Sequence, residues 1–205
     1  MTVRRVAVLA SVDAQPPAGI DAQAYRLALL EDTYEVIAGL ELVEAALSVA
    51  PAHQEIARSL VWPGTHVLAL PDDADHTRTG STLEAATQLG ADSVAVVAGD
   101  APDLPGLLIG KLFRALSPAD AAVCPAAGGG LVALAIKLPR PEWMPDVDLD
   151  EVDALERLRA AAPRRHAVGL APGWHRLRAA VDVHRLDPGL EGWEATRRLL
   201  SGAAR

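Results

Sequence analysis

The sequence predicts an α/β protein built on a mainly parallel sheet with flanking helices. Three observations carry this. Short apolar runs alternate with helix-patterned stretches about every 25–30 residues, the signature of strand–helix–strand units. Half of the 205 residues are apolar, enough for a sizeable core, and the charged share of 22% is ordinary for a folded chain. No segment recurs at a fixed period, which excludes a solenoid. The expectation is one domain over residues 1–205.

The elements follow in order. VAVLA at 6–10 reads as a buried strand, and SVDAQPPAGID at 11–21 as a loop by its Pro, Gly and Asp content. A helix is predicted over 22–40, with Leu27, Leu30, Tyr34, Ile37 and Ala38 at helical spacing and Gly39 near its end. The stretch 41–49 reads as a strand, although LELVEAALSVA also fits a helix. A short helix within 50–64 stops at Pro63-Gly64, and 66–70 is a third strand.

A polar loop covers 71–81, and a helix over 82–89 ends at Gly90, a good left-handed stop. VAVVA at 94–98 is the clearest strand of the chain. A helix over 105–116 places Leu108, Leu112 and Ala115 on one side. Strands at 121–124 and 131–136 flank the glycine turn PAAGGG. A Pro-rich loop at 138–150 precedes a helix over 151–161. The last part reads as a short strand at 179–181, a polar turn and a closing helix.

Bulk properties exclude several classes. The net charge of −8 and pI near 5.2 argue against bulk nucleic-acid or anionic-membrane binding. No run approaches the roughly 18 apolar residues of a membrane span. The apolar piece at 6–10 is too short for a signal h-region, so a cytoplasmic location is expected. The lone Cys124 excludes an intramolecular disulfide, and its strand-like neighbours mark it as a small core residue. With 3% aromatics, the core must be aliphatic.

Candidate chemistry gathers at strand ends, because open parallel sheets bind ligands beyond the carboxyl ends of their strands. In SVAVVAGDAPDLP the strand at 94–98 ends on Gly99-Asp100. A carboxylate there can hold a hard cation such as Mg²⁺ or Mn²⁺. Gly99 allows a turn and close approach of a ligand. Asp103 lies between Pro102 and Pro105, near the next helix, as a ligand contact or a simple cap. Asp182 follows the apolar stretch 179–181, so two acids at two strand ends could share one metal. Arg78 and Gly80 in HTRTGST suit an anion at a helix N-terminus, or a plain capped start. There is no GxxxxGK[ST], GxGxxG or GxSxG, which removes the P-loop, the dinucleotide fingerprint and the hydrolase elbow.

The order of these blocks resembles a known family. GSTLEAATQLGADSVAVVAGDAPDLPGLLIGKLFRAL resembles the central segment of the GT-A-like nucleotidyltransferase and glycosyltransferase superfamily, and within it the DUF2064 group, with its glycine-acid-x-Pro-Asp-Leu-Pro block. AAVCPAAGGGLVALAIKLP resembles that group's Asp-Gly-Gly-aromatic block, LALLEDTYEVIAGL its Asp-Thr helix, and VDVHRLDP its Asp-Val-Asp-Thr element.

The resemblance implies a three-layer, Rossmann-like sheet of the nucleotide-diphospho-sugar transferase kind. It implies a nucleotide or nucleotide-sugar site at the strand ends, with Asp100 and Asp182 holding a divalent metal, Mg or Mn. Gly128, Gly129 and Gly130 would admit donor or acceptor. Glycosyl or nucleotidyl transfer from a nucleotide-linked donor would follow, the metal stabilising the leaving group. The chain departs from the pattern in the loop after the first strand. That loop has no Lys or Arg where the family carries basic residues. Gly128, Leu131 and Ala135 stand where the family has Asp, an aromatic and Gly. The alternative is a GT-A fold without catalysis that acts as a ligand-binding or protein-interaction module.

Overall fold

The computed structural model describes residues 5–10, 13–70 and 76–203; residues 11–12 and 71–75 of the two polar loops lie outside them. The strands are β1 (Arg5–Ala10), β2 (Glu44–Val49), β3 (His66–Ala69) and β4 (Ser93–Ala98). They continue with β5 (Ala121–Pro125), β6 (Leu131–Lys137) and β7 (Val168–Leu170). The first helices are α1 (Ala22–Ala38), α2 (Gln54–Leu60) and α3 (Arg78–Thr87). The later ones are α4 (Gly106–Leu116), α5 (Ala154–Ala161) and α6 (Glu194–Ala203).

All these strands form one sheet of order β3-β2-β1-β4-β6-β5-β7, parallel except for β6. The chain winds outward from β1 to β2 and β3, then returns to the other side of β1 with β4. That reversal makes the ends of β1 and β4 the topological switch point, where sheets of this kind place their ligand crevice. Because β6 runs antiparallel, with Ala133 opposite Val97, its first residue lies at that same end. The glycine turn between β5 and β6 therefore borders the crevice.

The strands read as unbroken apolar runs because both faces are covered. In β4, Ala95 and Val97 face one core layer, with Leu30, Tyr34 and Ile37 of α1 and Leu108, Leu112 and Phe113 of α4. Val94, Val96 and Ala98 face the opposite layer, with Leu83 of α3, Leu158 of α5 and Val147 and Leu149 of the loop before it. This confirms the three-layer expectation. A third cluster joins α1 to the C-terminal region through Tyr25, Leu29, Leu177 and Trp193.

Several boundaries differ from the sequence reading. The stretch with two possible readings at 41–49 is strand from Glu44, since it slots beside β1. α3 begins within the predicted loop, because the Thr77 side chain accepts from Gly80 N and caps it. α5 starts at Ala154 rather than 151. β7 was not anticipated; its residues pair with β5 at the sheet edge. The predicted strand at 179–181 is instead the start of a 3₁₀ turn, Ala180–Arg185.

Asp32, in the segment that resembles the family's Asp-Thr helix, fastens the C-terminal helix α6 to α1. Its buried carboxylate accepts from the backbone N–H groups of Ala195 and Thr196, at 2.9 and 2.7 Å, and so caps α6 from α1. Burial pushes its pKa up, against the pull of those amides. Asp32→Ala removes a cap, and urea unfolding should show a loss of about 1–2 kcal/mol. A stability within a few tenths of wild type would mean that α6 docks without it.

Candidate functional site

The site is assembled by a strap that crosses the carboxyl ends of the strands. After β7 the chain follows β5, with Trp174 bridged to Ala126. It then turns across β4, where Leu177 N donates to Asp100 O at 2.8 Å, and reaches the loop after β1, where Gln15 N donates to Arg178 O at 2.9 Å. Leu177 is fully buried and anchors the strap in the cluster around Tyr25 and Leu29. Alternate residues of an extended segment point the same way, so Arg176 and Arg178 both face the crevice region.

Arg176 is the dominant contact. Its Nε donates to Asp100 Oδ1 at 2.6 Å and its Nη2 to Oδ2 at 3.0 Å, a side-on fork. Its Nη1 donates to the carbonyls of Leu131 and Leu149, and lies 2.7 Å from Asp150 Oδ1. Both Asp100 and Arg176 are buried, at 0% and 3% exposure. Burial opposes the charge on Arg176, but the Asp100 and Asp150 carboxylates outweigh it and hold its pKa above the usual arginine value.

Arg178 has a different setting. Its Nε and Nη2 atoms are shielded from solvent without a hydrogen-bond partner, and the nearest acid contact, Asp150 Oδ1, is 3.8 Å from Nε. Burial first, and the neighbouring Arg176 second, lower its pKa. The hydroxyl of Tyr25 is likewise buried and unpartnered. Burial pushes it up to about 12, with the charges of Asp100 and then Asp182 adding to the effect. Tyr25, Asp100 and Asp182 thus share one neighbourhood.

The structure places the sequence-predicted residues as follows. Asp100 and Asp182 do lie in one region, but their oxygens are engaged. Asp182 Oδ2 accepts from the backbone N–H groups of Arg178 and Ala179, and Oδ1 lies 3.3 Å from Arg185 Nε. It closes a 3₁₀ turn instead of ending a strand, and His184 beside it is exposed. Among the described residues, no three His, Cys, Asp or Glu side chains converge as a metal group. The donor set does not fit a divalent metal in this arrangement.

Gly99 serves packing: a Cβ there would lie 2.9 Å from Ala10 O and 2.7 Å from the Leu30 side chain, so glycine lets β4 turn against β1 and α1. Asp103 is neither a helix cap nor open to the crevice. Buried, it accepts from Trp174 Nε1 at 3.2 Å, and His175 Nε2 sits 3.0 Å away without the alignment of a hydrogen bond. It ties down the strap beside Asp100. Gly80 faces an acid of the chain itself. Asp146 accepts from Thr77 N and Thr77 Oγ1, and a Cβ on Gly80 would run into its carboxylate. The start of α3 is therefore occupied by Asp146 rather than open to an anion. Arg78 reaches across to Asp13 of the loop after β1, at 3.5 Å.

Gly128, Gly129 and Gly130 all have positive φ, at 92°, 101° and 75°, which side-chain-bearing residues rarely adopt. At Gly130 a Cβ would meet Arg178 Nη2 at 2.8 Å, so the turn makes room for that guanidinium. Cys124 is a buried core thiol that burial pushes up to about 12, and its Sγ faces Pro172 O at 3.0 Å. Arg176 and Arg178 were not singled out from the sequence. The one available signal was HRLR, paired basic residues in an extended stretch just before an acid.

Comparison with known proteins agrees with this architecture. The sequence pattern of the family described as "Uncharacterized protein conserved in bacteria (DUF2064)" matches residues 33–150. Comparison with curated proteins found no significant match. A protein of Desulfovibrio desulfuricans G20 assigned to the nucleotide-diphospho-sugar transferases superposes with a TM-score of 0.69 at 18% identity, covering 98% of this chain and 97% of that one. A nucleotidyl transferase from Methanothermobacter thermautotroptrophicus gives 0.61 at 15%, covering 97% and 99%. Rv0371c of Mycobacterium tuberculosis H37Rv, in a complex with manganese, gives 0.53 at 16%, covering 98% and 100%. At these identities the likeness is one of fold.

Two predictions follow from the geometry. Asp100→Ala or Arg176→Ala strands a buried charge and should each cost about 3–5 kcal/mol in denaturant unfolding. The double replacement Asp100→Leu with Arg176→Met should cost much less than the sum of Asp100→Leu and Arg176→Met made singly; strict additivity would mean that the two groups act independently. Tyr25 stays neutral in the fold. Since its folded pKa exceeds the ordinary value of 10, its contribution is complete below pH 10 and lost as pH rises through about 12. Absorbance at 295 nm should show a late alkaline phase, coincident with unfolding, that Tyr25→Phe removes.

Proposed function

The chain belongs to the DUF2064 family and has the GT-A-like sheet of the nucleotide-diphospho-sugar transferases, and on that footing we propose that it takes a nucleotide or nucleotide-sugar at the crevice between β1 and β4 as a diverged transferase. The observation that carries this reading is Arg178. A guanidinium with a solvent-shielded, unpartnered Nε–Nη2 edge costs free energy unless an acceptor meets it. That edge has the spacing to grip two oxygens of one phosphate. It lies beside the flexible-backbone turn at Gly128–Gly130 and the switch point, where a phosphate-bearing donor would come to rest.

The roles then divide among this chain's residues. Arg178 orients the phosphates, and the glycine turn lets the ligand approach the backbone. Arg78, across from the loop after β1, is the second cationic contact on the opposite wall. Gly80, Gly99 and Asp103 shape and brace the walls without touching the ligand. In a transfer, the acceptor oxygen would bond to the phosphorus or the anomeric carbon as the bond to the leaving pyrophosphate or nucleoside diphosphate breaks, with the acceptor's proton passing to solvent.

A second reading is favoured by a specific observation. The strand-end acid Asp100 is wholly engaged by Arg176, so the fold can bind a nucleotide-linked ligand without transferring anything. The two readings separate in one assay series. Isothermal titration with a panel of nucleoside di- and triphosphates and nucleotide-sugars should give one site per chain. Arg178→Gln should weaken it at least about tenfold, or 1.4 kcal/mol. The same variant should melt no lower than wild type, because it removes an unpaired, half-buried charge. Silence across the panel with folded protein would sink both readings. Binding without release of nucleotide or pyrophosphate in the presence of candidate acceptors would leave the second.

A further inference from the structure

Resting on the reading above that this crevice is the ligand site, we propose that Arg176 is the resident cation of the crevice and that the site works without a divalent metal. The argument starts from the carboxylate. A buried acid at a strand end needs a positive partner, because an uncompensated charge out of water is costly. A hard divalent ion and a guanidinium are the two partners suited to it, and they compete for the same oxygens. In this chain both oxygens of Asp100 face Arg176.

Arg176 is held there from every side. Its third nitrogen is fixed by the carbonyls of Leu131 and Leu149 and by Asp150. Its own backbone is clamped between Trp174, which donates to Asp103, and Leu177, whose N–H donates to Asp100 O. To admit a metal, Asp100 would have to give up the bidentate pair and leave a buried guanidinium facing only neutral carbonyls and one half-exposed acid. The remaining acids offer no second ligand close by. Asp182 is spent on two backbone amides, and no group of three ligating side chains exists among the described residues.

The charge a metal would bring is thus already present, fixed in position and independent of ion concentration. A phosphate-bearing ligand entering the crevice meets guanidinium groups. Arg176 neutralises the protein's own acid, and Arg178 keeps an edge without a hydrogen-bond partner.

The test uses the wild-type protein and Mn²⁺ alone. Mn²⁺ is titrated up to about 1 mM while its free concentration is followed by electron paramagnetic resonance. In parallel, the arginine Nε–H signals are followed by ¹⁵N NMR, that of Arg176 being recognised by its protection from solvent exchange. The expected result is no stoichiometric uptake, an Arg176 Nε–H signal that survives an equimolar amount of Mn²⁺, and a melting temperature unchanged by EDTA. Uptake that leaves the signal intact and is unchanged in Asp182→Asn places the ion outside the crevice, as the proposal requires. One Mn²⁺ per chain that erases the Arg176 signal overturns it, as does uptake lost in Asp182→Asn. Nucleotide titrations repeated with EDTA report separately: binding abolished by EDTA contradicts metal independence. Absence of nucleotide binding under every condition counts against the ligand reading and leaves the manganese result to stand by itself.

Discussion

The constraint on which this structure turns is the burial of one carboxylate, Asp100, at the end of the central strand. The sheet is covered on both faces, so β4 carries its apolar run right up to the place where the chain must turn. The first polar side chain after that run is already out of water. A bare carboxylate there would be intolerable. Arg176 answers it with a bidentate pair, and much else follows from delivering that arginine. The strap must cross the strand ends, so it is pinned at Trp174 by Asp103, at Leu177 by the Asp100 carbonyl and at Arg178 by Gln15. Gly99 must be small, so that the acid's backbone can lie against β1. The carbonyls of Leu131 and Leu149 must point inward to finish the guanidinium's hydrogen bonds. Energetically, a pair of this kind is weak evidence of net stabilisation, since desolvation offsets most of the attraction. Its force is in specificity: any arrangement that separates the partners leaves both charges buried.

The sequence made most of the scaffold legible, because the scaffold's signals are local. VAVVA is a strand in any doubly covered sheet, and Gly39 and Gly90 punctuate their helices within a turn. The location of the candidate site was also legible, since a strand that ends on Gly99-Asp100 points to the switch-point crevice by topology alone. The partner of Asp100 was not. Arg176 lies 76 residues further along, and no periodicity links the two. Asp182 misled for a local reason. Ala-Ala-Val before an acid has strand composition, but Asp182 bonds back to the amides of Arg178 and Ala179 and closes a turn instead. The start of α3 misled similarly. HTRTGST looks like an anion-binding helix start, and it does bind an anion, but that anion is Asp146 of the chain's own Pro-rich loop.

These substitutions share a logic. At three places with unbalanced charge or open donors the chain supplies its own partner: Asp146 at the start of α3, Arg176 at the β4 acid, Asp13 opposite Arg78. Each internal pair removes the conformational and ionic uncertainty of waiting for an external ion. Each also raises the threshold for a ligand, which must displace a contact that is already satisfied. Arg178 is the exception, since its Nε–Nη2 edge has no hydrogen bond to give up.

That contrast suggests how the work of a bound metal can be split. A divalent ion in such a crevice neutralises the protein's acid and, through its remaining coordination positions, holds the ligand's phosphate. One guanidinium cannot do both when its fork is already closed on a carboxylate, as the fork of Arg176 is. A second guanidinium two positions along an extended strap can take the other half, because residues spaced by two project to the same side. The cost of this division falls on Arg178. Its like-charged neighbour and its burial both disfavour its charge while no ligand is present. The crevice region therefore holds an under-satisfied cation. An incoming phosphate relieves both penalties at once by supplying hydrogen-bond acceptors and negative charge, whereas a neutral ligand relieves neither. On this reading, selectivity for anionic, nucleotide-linked ligands is set by a guanidinium that the fold has left incomplete.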